Sequence, residues 1–119
     1  MAEIKEYKNL INGEWKESKE QITIYSPIDN KEIGKVQAMT HKEIDDAMAA
    51  AKAAMKAWRE VPIVERAKVL YKAAELLEKR KDEIGEILAE EVAKNLKSAV
   101  SEVVRTADLI RYTAEEGIR

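Results

Sequence analysis

Lys97-Ser-Ala-Val-Ser-Glu-Val-Val-Arg-Thr-Ala-Asp-Leu-Ile-Arg-Tyr-Thr-Ala-Glu-Glu-Gly117 is the stretch from which the rest of the chain can be read. Val100, Val103, Val104, Ala107, Ile110 and Ala114 recur at three- and four-residue steps. That period gathers side chains on one face of an α-helix. The spacing predicts a helix from about Lys97 to Glu116, with Gly117 as its stop. Most of the stability of such a helix comes from burying its apolar face, so it needs a surface to lie on. An amphipathic helix that closes a sequence at Arg119 is expected to belong to something larger than these 119 residues.

Working back from that helix, the same period recurs three times. Thr40-His-Lys-Glu43 reads as a capping box, in which threonine and glutamate satisfy each other's backbone N–H at a helix start. Ile44, Ala47, Met48, Ala51, Met55 and Trp58 follow at helical spacing. Val61-Pro62 breaks that helix, and Pro62 suits the first position of the next. The second stripe is Ile63, Ala67, Leu70, Ala74 and Leu77, with Lys79-Arg-Lys81 placing positive charge where the helix dipole favours it. Asp82 is a candidate cap for a third helix carrying Ile84, Ile87, Leu88 and Val92. Lys94-Asn95 should end it, since asparagine tolerates the left-handed conformation found at helix ends.

The first third reads as β-structure. Tyr7-Lys-Asn-Leu-Ile11 and Glu14-Trp-Lys16 flank Asn12-Gly13, a pair suited to a type I′ hairpin turn with positive φ at both central residues. Gln21-Ile-Thr-Ile-Tyr25 alternates, Pro27 ends it and Asp29-Asn30 supplies turn chemistry. Glu32-Ile-Gly-Lys-Val-Gln37 is the returning strand, with Gly34 a bulge or a point of close approach. The expected segment is therefore two small β-hairpins over residues 1–38, then about four amphipathic helices over 40–118. No fixed-period repeat or low-complexity linker interrupts it.

Composition narrows what this chain can do. Lysine plus arginine number 21 against 23 aspartates and glutamates, a net charge of −2 with both signs interspersed. That balance argues against a nucleic-acid surface. The absence of cysteine excludes disulfides, cysteine metal sites and a cysteine nucleophile within these residues. No apolar run is long enough to span a membrane, and Met1-Ala-Glu-Ile-Lys-Glu has no signal-peptide core. A cytoplasmic location is the expectation.

Few side chains here suggest chemistry. His41, the one histidine, falls in an exposed first turn without a second ligand near it and reads as a surface residue. Asp45-Asp46, Glu90-Glu91 and Glu115-Glu116 are neighbours on helices, where adjacent side chains point about 100° apart, so they read as solvated faces. No glycine pattern matches a phosphate-cradling loop. Trp15 and Trp58 read as core or hairpin-packing residues. Arg105 stands apart, at the margin of the apolar face, one turn from Ser101 and Leu109 and two from Tyr112. Two readings are open for it. One is an ion pair with Glu102 or Asp108, each three residues away. The other is an anion ligand, since a guanidinium binds phosphate or carboxylate through two parallel bonds. Arg111 and Arg119 pose the same question with local partners at Asp108 and Glu115.

Several segments in register carry a family resemblance. They are Leu10-Ile-Asn-Gly-Glu-Trp15, Tyr25-Ser-Pro27 with the Ile33-Gly34 strand, the Ala-rich helix closing in Ala57-Trp58, Glu65-Arg66-Ala67, and Glu91-Val-Ala-Lys94. Together they resemble the N-terminal part of an aldehyde dehydrogenase, across the whole 119 residues. Where that family usually has Glu-Thr-Gly-Lys-Pro, this chain has Glu91-Val92-Ala93-Lys94-Asn95, a departure that argues against its commonest branches. The last helix is similar to the non-phosphorylating, NADP-dependent branch that acts on glyceraldehyde 3-phosphate.

The resemblance implies an α/β aldehyde dehydrogenase fold, with this segment packing on the cofactor domain. It implies that a cysteine thiolate attacks the aldehyde, hydride passes to NADP, and a glutamate-activated water releases 3-phosphoglycerate. It also implies a homotetrameric complete enzyme acting on a small phosphorylated aldehyde. In that branch the arginine of Ser101-Glu-Val-Val-Arg105 contacts the substrate phosphate, so the resemblance assigns Arg105 to substrate binding. The groups that perform the chemistry lie beyond Arg119 in the family pattern, and the segment alone should be inactive. Two alternatives stay open: a family member for another aldehyde, such as lactaldehyde or a semialdehyde, and a free-standing helical interaction module.

Overall fold

A computed structural model describes residues 4–119. The reading of Met1-Ala-Glu-Ile-Lys-Glu6 as lacking a signal-peptide core falls partly outside them. Five strands precede four helices: β1 (Lys5–Tyr7), β2 (Asn9–Ile11), β3 (Glu14–Lys16), β4 (Glu20–Tyr25), β5 (Glu32–Ala38), α1 (His41–Glu60), α2 (Ile63–Lys79), α3 (Lys81–Val92) and α4 (Leu96–Ile118). They fall into two compact units, one ending at Glu60 and one running Val61–Arg119.

In the first unit, β2 and β3 form the expected hairpin, pairing Leu10 with Trp15. Asn12 and Gly13 both take positive φ, 52° and 78°, as a type I′ turn requires. The second expected hairpin is β4 with β5, and the departure is one further strand. Tyr7 belongs to a separate strand, β1, which pairs in parallel with β5, while β4 pairs antiparallel on the other side. The result is a three-stranded mixed sheet beside a two-stranded ribbon. Gly34 is the point of close approach: a Cβ there would lie 3.2 Å from the Tyr7 ring and 3.3 Å from the Lys5 carbonyl oxygen. Ile24 pairs with Gly34 and Tyr25 with Glu32, so Ile33 is the extra residue of a bulge. Buried Gln37 fastens the assembly, donating to the Tyr7 carbonyl at 3.1 Å and accepting from the Ser18 N–H at 2.9 Å.

The capping box at the head of α1 is present. The Thr40 N–H donates to Glu43 Oε2 at 2.7 Å, and the Glu43 N–H donates to Thr40 Oγ1 at 3.3 Å. Yet α1 buries none of its residues, and Ile44, Met48, Met55 and Trp58 are all exposed. Trp15 is 68% exposed, so neither tryptophan is a core residue here. Trp15 faces Leu10 across the hairpin.

The second unit is a three-helix assembly in which α4 packs on both α2 and α3. Its core is built of small side chains: Ala67 and Ala74 of α2, and Ala99, Val103, Ala107 and Ala114 of α4. Small residues let helix backbones come close, and Gly85 takes this furthest. A Cβ at Gly85 would stand 2.6 Å from Val100 Cγ2. Four expected boundaries shift. Pro62 is the N-cap of α2 and not its first helical residue, with an extended ψ of 140°. Arg80 precedes α3, and Asp82 sits inside its first turn, where a carboxylate still complements the helix dipole. Ala93, not Asn95, takes the left-handed conformation, with φ 53°. Asn95 instead caps α4, its side chain accepting from the Ser98 N–H at 3.4 Å. Finally, Gly117 is helical and α4 continues to Ile118. Among the described residues no helix is long and apolar enough to cross a membrane.

Candidate functional site

The middle of α4 holds four charged side chains in three turns: Glu102, Arg105, Asp108 and Arg111. Helical spacing alone allows Arg105 to pair with the carboxylate on either side. The structure assigns both carboxylates elsewhere. Glu102 is bound by Lys94, which lies eight residues earlier in the turn between α3 and α4. Asp108 is bound by Arg111 at 3.0 Å, and Arg111 reaches further to Glu78 of α2 at 2.5 Å. Among the described residues the exposed side chain of Arg105 makes no ion pair and no hydrogen bond.

The local backbone explains why Lys94 is in place. Ala93 in the left-handed region turns the chain sharply, and the Lys94 N–H donates back to the Ala89 carbonyl at 3.2 Å. Asn95 then starts α4. The Lys94 ammonium, hydrogen-bonded to Glu102, holds that carboxyl below its ordinary value, with a smaller contribution from the charge of Arg105. A groove beside the pair is lined by Ile84, Ile87, Leu88 and Val103 together with Glu91, Glu102 and Thr106. The hydroxyls on this helix turn inward to its own backbone: Ser101 Oγ donates to the Lys97 carbonyl and Thr106 Oγ1 to the Glu102 carbonyl, each at 2.9 Å. What α4 offers to an incoming ligand is therefore one unneutralised guanidinium, suited to a carboxylate or a phosphate.

The other candidates resolve as surface chemistry. His41 is exposed at the start of α1. Asp46 is bound by Lys42 at 2.5 Å. Both residues of the Glu90-Glu91 and Glu115-Glu116 pairs are exposed. Arg119 pairs with Glu116 at 3.2 Å rather than with Glu115. No cluster of three or more metal-ligating side chains occurs among the described residues. Spacing along α4 reveals neither Lys94 nor Glu78, because each acts on α4 from a different element. For Lys94 the signal was its place in the Glu91-Val-Ala-Lys94 segment.

A short sheet region followed by amphipathic helices, with an arginine held free on the last helix, points to a segment of a larger α/β enzyme. The pattern of the aldehyde dehydrogenase family matches residues 15–119, and the chain belongs to that family. Among named relatives, it is 55% identical to an NADP-dependent glyceraldehyde-3-phosphate dehydrogenase of Streptococcus equinus, over 97% of this chain and 24% of that protein. It is 48% identical to the enzyme of the same name from Zea mays, over 95% of this chain and 23% of that one. The crystal structure of NADP-dependent glyceraldehyde-3-phosphate dehydrogenase from Bacillus halodurans C-125 complexed with NADP superposes with a TM-score of 0.94 at 47% identity. That superposition covers 96% of this chain and 24% of the solved one. The chain thus spans about a quarter of the length of the relatives it matches.

Proposed function

We propose that this chain is the N-terminal segment of an enzyme that oxidises glyceraldehyde 3-phosphate to 3-phosphoglycerate with NADP, without phosphorylation, and that Arg105 receives the substrate phosphate. The observation that carries this reading is the unpaired state of Arg105, in a chain nearly half or more identical to dehydrogenases named for that phosphorylated aldehyde. A phosphate dianion can accept two parallel, charge-assisted hydrogen bonds from a guanidinium. Family membership favours this over a free-standing helical module, and so does α1, whose exposed stripe gives it no place in a self-contained bundle.

Arg105 orients the substrate by its non-reacting end; it does not touch the aldehyde carbon. The thiolate has to come from residues outside this chain, which has no cysteine. The same holds for the NADP cradle. A nucleotide phosphate needs a glycine-rich turn opening a helix. Gly13 lies in a hairpin turn, Gly34 in a strand, Gly85 within α3 and Gly117 near the end of α4. The described residues therefore do not fit the cofactor, and we assign none of them to it. A cytoplasmic homotetramer is part of this proposal.

The test is the steady-state kinetics of the complete dehydrogenase chain carrying Arg105→Ala. Loss of a charge-assisted bidentate contact, about 1.5–3 kcal/mol, should lower kcat/KM for glyceraldehyde 3-phosphate about 10- to 150-fold. Unphosphorylated glyceraldehyde should be affected little. An equal loss on both substrates removes Arg105 from phosphate binding. A relative named malonate-semialdehyde dehydrogenase, from Lacticaseibacillus casei, is 37% identical. A carboxylated aldehyde outcompeting the phosphorylated one would move the reading to that substrate class, with the same arginine as the anion ligand.

A further inference from the structure

Arg105 is flanked at three-residue spacing by two carboxylates that, on an isolated helix, would compete for it. Neither does so, because each is already occupied by a cation from another position. Asp108 is held by Arg111, which is itself anchored to Glu78 on α2. Glu102 is ion-paired to one cation among the described residues, Lys94. The two arrangements differ in how easily they come undone. Arg111 has two acidic partners and sits on the same helix as Asp108, so that pairing is doubly secured. Lys94 reaches Glu102 from the turn after α3, and no other cation among the described residues forms an ion pair with Glu102.

We propose that Lys94 is a positioning residue for substrate binding: by occupying Glu102, it keeps the Arg105 guanidinium unpaired and available to an anionic substrate. The proposal rests on the reading of Arg105 given above. Without Lys94, Glu102 would be released within one helical turn of Arg105 and would become its internal competitor. A substrate phosphate would then have to displace a carboxylate that is covalently tethered beside the guanidinium. The effect falls on KM and on anion affinity. It does not fall on kcat, since Lys94 touches no reacting atom.

The complete dehydrogenase chain tests this with four variants: Arg105→Ala, Lys94→Met, Glu102→Gln, and the last two combined. The readouts are KM for glyceraldehyde 3-phosphate, KM for unphosphorylated glyceraldehyde, and the inhibition constant of inorganic phosphate. An exposed i,i+3 pair is weak, so Lys94→Met should raise KM for the phosphorylated substrate and the phosphate inhibition constant by about two- to five-fold, with kcat unchanged. Adding Glu102→Gln should restore both, because the competitor is gone. Glu102→Gln alone should leave both near wild type, since that carboxylate is already occupied. If Arg105→Ala alters both substrates alike, the reading of Arg105 fails and this proposal with it. If Arg105→Ala is selective but Lys94→Met changes nothing, only the proposal is overturned. Failure of the double variant to recover would make Lys94 a structural or direct ligand. A gain from Glu102→Gln alone, as large as its rescue of Lys94→Met, would show a general field effect and would overturn the proposal as well.

Discussion

Helices α1 and α4 carry the same kind of apolar stripe, yet they end up in opposite environments. Along α4, Ala99, Val103, Ala107 and Ala114 are buried against helices from the same compact unit. Along α1, nothing is buried, and Met48 remains 66% exposed. Helical periodicity records that one face is meant to leave water; it does not record where the covering surface comes from. For α4 that surface lies within the preceding 35 residues or so of chain, in α2 and α3. For α1 no such surface is found within its own compact unit, in a chain spanning a quarter of its relatives.

The largest expected effect probes the two stripes directly. Ala107→Leu inserts three carbons into a seam where Ala107 is wholly buried, and overpacking there should destabilise by about 1–3 kcal/mol in urea unfolding. Ala51→Leu on α1 should change stability by less than about 0.5 kcal/mol in this chain, because the position is exposed. A clear cost of Ala51→Leu in the complete enzyme, with none here, would locate the missing cover in the rest of the protein. Equal costs in this chain would erase the contrast.

Glycine gives a second contrast, within the α4 unit. Gly85→Ala gains about 1 kcal/mol of helix propensity but drives a methyl to 2.6 Å from Val100, so the net should be destabilising by about 1 kcal/mol or more. Gly117→Ala, with nothing within 4 Å, should be neutral or stabilising by up to about 0.5 kcal/mol. Thermal unfolding of the pair reads the closeness of α3 and α4 from two signs. Ala93→Gly should stabilise by less than about 1 kcal/mol, because the left-handed φ of 53° suits glycine better than alanine.

The smallest effect is electrostatic. Glu102 is held below the ordinary glutamate value of 4.5, chiefly by its hydrogen bond to Lys94. A carboxyl with a depressed folded-state pKa stabilises fully above its unfolded value. That stabilisation is lost as pH falls through the folded one. The loss therefore begins near pH 4.5 and continues below it, and Lys94→Met should flatten that part of the stability profile. An unchanged slope would mean the pair contributes nothing in solution.

What could be read from sequence divides along the distance of the deciding partner. The Asn12-Gly13 turn, the Thr40–Glu43 cap and the α4 stripe are local patterns, and all three are present as read. The parallel pairing of β1 was not legible, because three residues with no alternation reveal neither a strand nor a partner about 30 residues away. The end of α3 was misplaced because an asparagine is the better left-handed residue by propensity, yet here it serves better as the cap of α4. Arg105 stands out on α4 from the sequence alone, as an arginine at the margin of the apolar face. Whether it was free depended on Lys94 and on Glu78, and neither is visible from spacing on α4.

The sheet also has a temporal consequence. Strands β4 and β5 are joined by the short turn held by Ser26, whose carbonyl accepts from Asn30 and whose N–H donates to Lys31. That hairpin can close locally. β1 cannot join it until Gly34 exists as a partner for Lys5 and Gln37 as a clasp on Tyr7. On a ribosome the first strand of this protein must therefore wait, unpaired, until the fifth has emerged, and closing the longer loop makes it the later and more easily reversed step. β1 is the last stitch of this sheet.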